Sequence, residues 1–172
     1  MNAKEHSPAG RIIVALDLPG YDEAARMVET LGDDALFYKV GLELFTRSGG
    51  RVLELLEEAG KEVFLDLKLH DIPNTVARAV QAIAARRVSL ATLHTMGGFE
   101  MMHAAADAAA GAGQGGPRLR LLGVTVLTSI DENTLRDDLH IQDSIPRMVN
   151  ALAAAAHRAG LDGVVASALE VA

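Results

Sequence analysis

The sequence predicts a parallel α/β domain, and three observations carry that reading. Short apolar runs alternate with longer amphipathic stretches along the whole chain. Several of the short runs are almost continuously apolar, as strands buried on both faces must be. Polar residues gather where those runs end, the edge at which parallel α/β folds build their sites.

The strand candidates are Arg11–Asp17, Leu36–Val40, Glu62–Lys68, Val88–His94, Leu119–Leu127 and Gly163–Ser167. Helical stripes lie between them. Met27, Val28 and Leu31 share one face before Gly32, a residue suited to a C-terminal cap. Val52, Leu55, Leu56 and Ala59 repeat the pattern before Gly60. Ile72, Val76, Ala79, Val80 and Ile83 make a third stripe, and Phe99, Met102 and Ala106 a fourth. Ser144 is placed to cap a fifth helix, with Pro146 in its first turn, Met148, Val149 and Leu152 inside and Gly160 beyond. No linker interrupts the series, and the low-complexity stretch Gly111–Pro117 is short enough for a loop. No Gly-x-Gly-x-x-Gly follows the first strand and no Walker A motif occurs, which favours a barrel over a nucleotide-binding sheet.

Composition bounds the function. With 172 residues and ~150 per domain, one domain over residues 1–172 is expected. The absence of cysteine excludes a disulfide scaffold, a thiolate zinc site and a cysteine nucleophile. Sixteen Lys and Arg against 23 Asp and Glu give a formal charge of -7. That balance argues against nucleic acid and membrane surfaces as partners, while local lysines still permit an anionic small substrate. The first apolar run, Ile12–Leu16, is too short for a signal peptide or a membrane span, so a cytoplasmic location is expected.

The segment Asp66–Thr75 is the richest in chemistry. Asp66 and Lys68 are two apart on a strand, which puts their side chains on one side. Each charge also has a plain structural role: a strand-end ion pair for Asp66 and Lys68, a helix cap for Asp71, a water-facing strand end for Lys39. Together Lys39, Asp66, Lys68 and Asp71 form an alternating array without a metal-binding His or Cys cluster. Such an array holds a lysine protonated and aims it at developing negative charge. It also presses a carboxylate against an anionic substrate group, which suits loss of CO2 followed by protonation. His70 and His94 fit hydrogen-bonded scaffold roles better than acid–base ones, and Met96, Met101 and Met102 fit packing.

Over essentially its whole length the chain resembles the orotidine 5'-monophosphate decarboxylase family, the last enzymes of de novo UMP synthesis. The resemblance rests on Val14–Asp17, Phe37–Gly41 with Glu43–Phe45, Asp66–Thr75, His94 with Gly97 and Gly98, Val124–Ser129 and Gly160–Val165. The block Asp66–Thr75 is specific to that family. The shorter Asp-x-Lys-x-x-Asp is shared with sugar-phosphate relatives that use Mg2+, the hexulose-phosphate synthase and keto-gulonate-phosphate decarboxylase families. Lys39 and the segment His70–Thr75 favour the branch that needs neither metal nor cofactor. The resemblance implies a (β/α)8 TIM barrel and a homodimer acting on orotidine 5'-monophosphate. It implies that Lys68 donates the proton to C6, and that Asp66 sits beside the substrate carboxylate and completes the charge network with Lys39. It further implies that Asp17 and Lys39 hold ribose hydroxyls, that Thr128, helped by Ser129, contacts the pyrimidine, and that Asp71 and Thr75 reach the partner's site.

In that family the 5'-phosphate is gripped beyond the sixth strand, by a Pro-Gly-Ile-Arg-like segment, a Gln-bearing loop and a Gly-Arg pair. None of these follows the sixth strand candidate, Gly163–Ser167, in this sequence. A (β/α)8 barrel takes ~250 residues, or roughly 30 per unit, so a chain of this length supplies about six of eight units. The expectation is a barrel domain incomplete at its C-terminal end, with its charge network present and its phosphate ligands unassigned. The 172 residues alone are expected to turn over little substrate. The non-enzymatic alternative is a partial barrel serving as a dimerisation scaffold.

Overall fold

The structure is a computed structural model that describes residues 12–111 and 118–170. Arg11 of the first strand candidate, most of the loop Gly111–Pro117 and the final Val171 and Ala172 lie outside the described residues. Six strands and six α-helices follow one another: β1 (Ile13–Ala15), α1 (Tyr21–Leu31), β2 (Phe37–Gly41), α2 (Leu42–Ser48), α3 (Arg51–Glu58), β3 (Glu62–Leu69), α4 (Pro73–Ala84), β4 (Val88–His94), α5 (Gly98–Gly111), β5 (Arg120–Val124), α6 (Ile145–Arg158) and β6 (Gly163–Val165). The sheet order is β1-β2-β3-β4-β5-β6. A doubly wound sheet reverses its order at a switch point; this one does not, which is the winding of a (β/α) barrel.

The described residues fall into two compact units, and the division crosses β3 after Leu67 and β4 after Ala91. The first holds residues 12–67, 82–91 and 118–119. In it β1 pairs in parallel with β2, Ile13 opposite Phe37 and Ala15 opposite Lys39. β2 pairs in parallel with β3, from Phe37 opposite Glu62 to Gly41 opposite Asp66. Tyr38, Val40, Val63 and Leu65 are buried on one face of this pair, and burial raises the Tyr38 phenol above its ordinary range. Lys39 and Asp66 belong to the opposite face by the two-residue alternation. α1 ends as expected at Gly32, whose φ of 43° is a conformation that favours glycine and whose N–H donates to the Val28 carbonyl. The buried Lys61 ammonium closes that turn, donating to the Gly32 carbonyl at 2.6 Å.

The second unit holds residues 68–81, 92–111 and 120–170. β5 and β6 pair in parallel, from Leu122 opposite Gly163 to Val124 opposite Val165. Met101 and Met102 of α5 are fully buried, as packing residues should be, whereas Met96 is exposed. The buried Thr95 hydroxyl donates to the Val124 carbonyl at 2.8 Å, tying the turn after β4 to β5. The Asp162 carboxylate accepts from the Leu121 N–H at 2.8 Å, which fixes where β5 begins.

Three sequence expectations are corrected. Ser144 occupies the N-cap of α6, but its side chain makes no cap hydrogen bond; the Glu132 carboxylate accepts the Ile145 N–H instead. Ile72 precedes α4 and is 66% exposed, so it is not part of that helix's buried stripe. Phe99 is 44% exposed and stacks on the His103 ring with centroids 5.3 Å apart.

Candidate active site

In the first unit, strand register assembles three charges. Asp17 lies two residues beyond Ala15, and Asp66 two beyond Phe64; Ala15 and Phe64 are the partners of Lys39 in β1 and β3. Both carboxylates therefore stand one pleat further along than the lysine, on the same face, and its long side chain reaches forward between them. Lys39 Nζ is 3.2 Å from Asp17 Oδ1 and 3.8 Å from Asp66 Oδ2. The Asp66 and Lys39 side chains are 15% and 23% exposed, and that of Asp17 is 72% exposed. The shielded Lys39–Asp66 pair is the one whose field water screens least. Gly41 flanks the Lys39–Asp17 pair, and a Cβ there would make only ordinary contact, 3.6 Å from Asp17 Oδ1 and 3.7 Å from Lys39 Nζ.

In the second unit, Lys68 lies inside β3 with a φ of 51°. For a non-glycine residue that left-handed conformation costs on the order of 1–2 kcal/mol. It also ends the strict alternation on which the expectation for Asp66 and Lys68 relied. The Lys68 N–H donates to the Thr92 hydroxyl at 2.9 Å. His70 and His94 face each other, their ring centroids 5.5 Å apart. The His94 imidazole is held below its ordinary pKa, first by burial and then by the positive fields of His70 and Lys68.

Asp71 is exposed just before α4, and its carboxylate accepts the Ile72 N–H at 2.6 Å. Its bond thus falls at the approach to the helix rather than on the N–H groups of the first turn. Thr75 is exposed in that first turn. Thr128 and Ser129 are exposed in the turn after β5, which the Ile130 N–H closes on the Leu127 carbonyl at 2.9 Å. Lys39, Asp17 and Asp66 are thus joined in the first unit, while Lys68, Asp71, Thr75, Thr128 and Ser129 belong to the second. Sequence reasoning missed Thr92. The available signal was a hydroxyl in the otherwise apolar run Ala91–Leu93 of a buried strand.

These features define the class: a singly wound parallel α/β chain with acids and lysines at the C-terminal ends of its strands. The family model described as Orotidine 5'-phosphate decarboxylase / HUMPS family matches residues 10–172. The orotidine 5'-phosphate decarboxylase of Geobacter metallireducens is 45% identical over 161 residues, covering 94% of this chain and 67% of that protein. That of Nostoc sp. is 47% identical over 164 residues, with 94% and 68% covered. The crystal structure of orotidine 5'-phosphate decarboxylase from Lactobacillus acidophilus superposes with a TM-score of 0.87 at 40% identity, covering 93% of this chain and 72% of that one. The chain belongs to the orotidine 5'-phosphate decarboxylase / HUMPS family. It has that family's (β/α) barrel fold, with six of the βα strands present, and spans about two thirds of the length of these curated relatives. Among the described residues no helix is long and apolar enough to cross a membrane.

Proposed function

We propose that this chain carries the acid–base apparatus of an orotidine 5'-monophosphate decarboxylase, a carboxy-lyase of pyrimidine biosynthesis that works without metal or cofactor. The observation that carries the reading is the Lys39 ammonium shared between Asp17 and Asp66. Lys39 supplies positive charge where two carboxylates converge, and Asp66 is assigned a place beside the substrate's own carboxylate. Like charges pressed together are relieved when that carboxylate leaves as CO2. The C6–carboxylate bond breaks with its electron pair left on C6. The Lys68 ammonium gives one proton to C6 and is left as a neutral amine, which water reprotonates. One unit-charge contact at 4 Å and an effective dielectric of ~20 is worth roughly 4 kcal/mol, or about a thousandfold in rate. The remainder of so difficult a decarboxylation comes from preorganised dipoles and from binding the non-reacting parts of the substrate.

Asp17 and Lys39 are assigned to the ribose hydroxyls, and Thr128 with Ser129 to the pyrimidine. Asp71 and Thr75 are assigned to the partner's site in a homodimer, a role supported by their exposure at the start of α4. The family description also names a second branch, so a Mg2+-dependent sugar-phosphate lyase is the competing reading. One experiment separates the two: loss of the orotidine 5'-monophosphate ultraviolet band in excess EDTA. Turnover under those conditions is the expected result. Turnover of a pentulose or hexulose phosphate that requires added Mg2+, with none of orotidine 5'-monophosphate, would place the chain in the other branch.

A further inference from the structure

We propose that Thr92 is a positioning residue for the proton-transfer step: its buried hydroxyl anchors the backbone of Lys68 in the left-handed conformation from which the ammonium is presented. The inference rests on the proposed role of Lys68 as proton donor. In a parallel ladder a strand N–H normally donates to a carbonyl of the neighbouring strand. The Lys68 N–H instead donates to the Thr92 side chain, at 2.9 Å. Thr92 is 1% exposed, so the bond is shielded from water. A β-branched side chain in a packed strand has little freedom about χ1, which makes its hydroxyl a fixed acceptor. Lys68 is held at φ 51°, a conformation that a lysine adopts only when its surroundings impose it. Without the acceptor, the left-handed backbone of Lys68 loses this anchor, and relaxation toward extended backbone rotates its Cα–Cβ bond away from the present direction. His94 lies two residues beyond Thr92, on the same face of β4, and the Lys68 charge acts on its imidazole. That face of β4 therefore addresses Lys68 at two points.

The test compares Thr92→Val, which keeps the shape and loses the acceptor, with Thr92→Ser, which keeps the acceptor. It uses the longest polypeptide that the reading frame encodes. Thr92→Val is expected to lower kcat about 10- to 100-fold while KM changes by less than about twofold, and Thr92→Ser to restore most of kcat. An unchanged kcat in Thr92→Val, or an equal fall in both variants, would overturn the proposal, because packing alone does not distinguish them in that way. Hydrogen exchange at the Lys68 amide gives a reading independent of turnover. It is expected to be slow in the wild type and Thr92→Ser and fast in Thr92→Val. Fast exchange in the wild type overturns the anchor without any variant. A protected Lys68 amide in a folded wild type that does not turn over orotidine 5'-monophosphate removes the decarboxylase reading and leaves the anchor standing.

Discussion

At His94, burial and two positive neighbours act in one direction. Each disfavours the imidazolium, so the folded chain holds this ring below its ordinary pKa of 6.5. The unfolded chain then binds more protons than the folded one over the interval between the two values. The stability from the neutral ring is fully present above about pH 6.5 and is lost as pH falls through the folded pKa. His94→Gln removes that titration, so its melting temperature should fall less between about pH 7.5 and pH 5 than that of the wild type. Parallel pH profiles would show that His94 is not the responsible group. Lys68 belongs to the same scale. As the proposed general acid it is expected to account for about 10²–10⁴-fold in kcat, so Lys68→Ala should lose turnover by that factor at unchanged fold, checked by circular dichroism. Near-wild-type kcat in Lys68→Ala would remove it from the mechanism. The identities of Lys39, Asp66 and Lys68 were legible in the sequence because charge at the end of an apolar run is costly without a partner. The pairing of Lys39 with Asp17 was not, because it depends on strand register, which a residue pattern does not encode. The left-handed turn at Lys68 was equally hidden, since lysine carries no propensity for it.

At the scale of elements, periodicity located the six strands of the described residues, and β4 lies at the residues expected, Val88–His94. Its apolar run is bounded on both sides by residues that break the pattern. The stripe of Val52, Leu55 and Leu56 corresponds to α3 alone, and α2 has no counterpart among the sequence stripes, since Leu42–Ser48 is too short to show a period of its own. Gly49 separates them with a φ of 57°. Gly123 in β5 shows how tightly the elements around it pack. A Cβ there would lie 2.6 Å from Thr95 Cγ2, 3.0 Å from Leu161 Cδ1 and 3.4 Å from Ala156 Cβ. The first of these belongs to a β-branched side chain whose hydroxyl is already held by the Val124 carbonyl, so it cannot swing aside without losing that bond. Gly123→Ala is therefore expected to destabilise the chain by about 1–3 kcal/mol through overpacking. The urea midpoint should fall while the slope stays constant. An unchanged midpoint would mean that this part of the molecule yields more easily than the contacts imply.

At the scale of the whole molecule, a formal charge of -7 coexists with a site proposed to receive an anion. The two are compatible because the field at a shielded group is set by its nearest charges, as at the Lys39–Asp66 pair of the first unit, while distant surface carboxylates are screened by salt. The proposed homodimer places a further charge, Asp71, in each partner's site, which makes catalysis a property of the pair. In that arrangement a working site needs Lys68 from one protomer and Asp71 from the other. Lys68→Ala and Asp71→Ala homodimers each lack one of these groups in both sites, and each should be nearly inactive. A dimer with one copy of each variant contains one site with both groups intact and one with neither. After equal amounts are unfolded together and refolded, random pairing makes half of the dimers mixed, so about a quarter of all sites regain the full constellation. Turnover per site should therefore rise to roughly a quarter of the wild-type value. A mixture no more active than its two components would show that Asp71 serves its own protomer, as the exposed carboxylate that receives the Ile72 N–H at the start of α4.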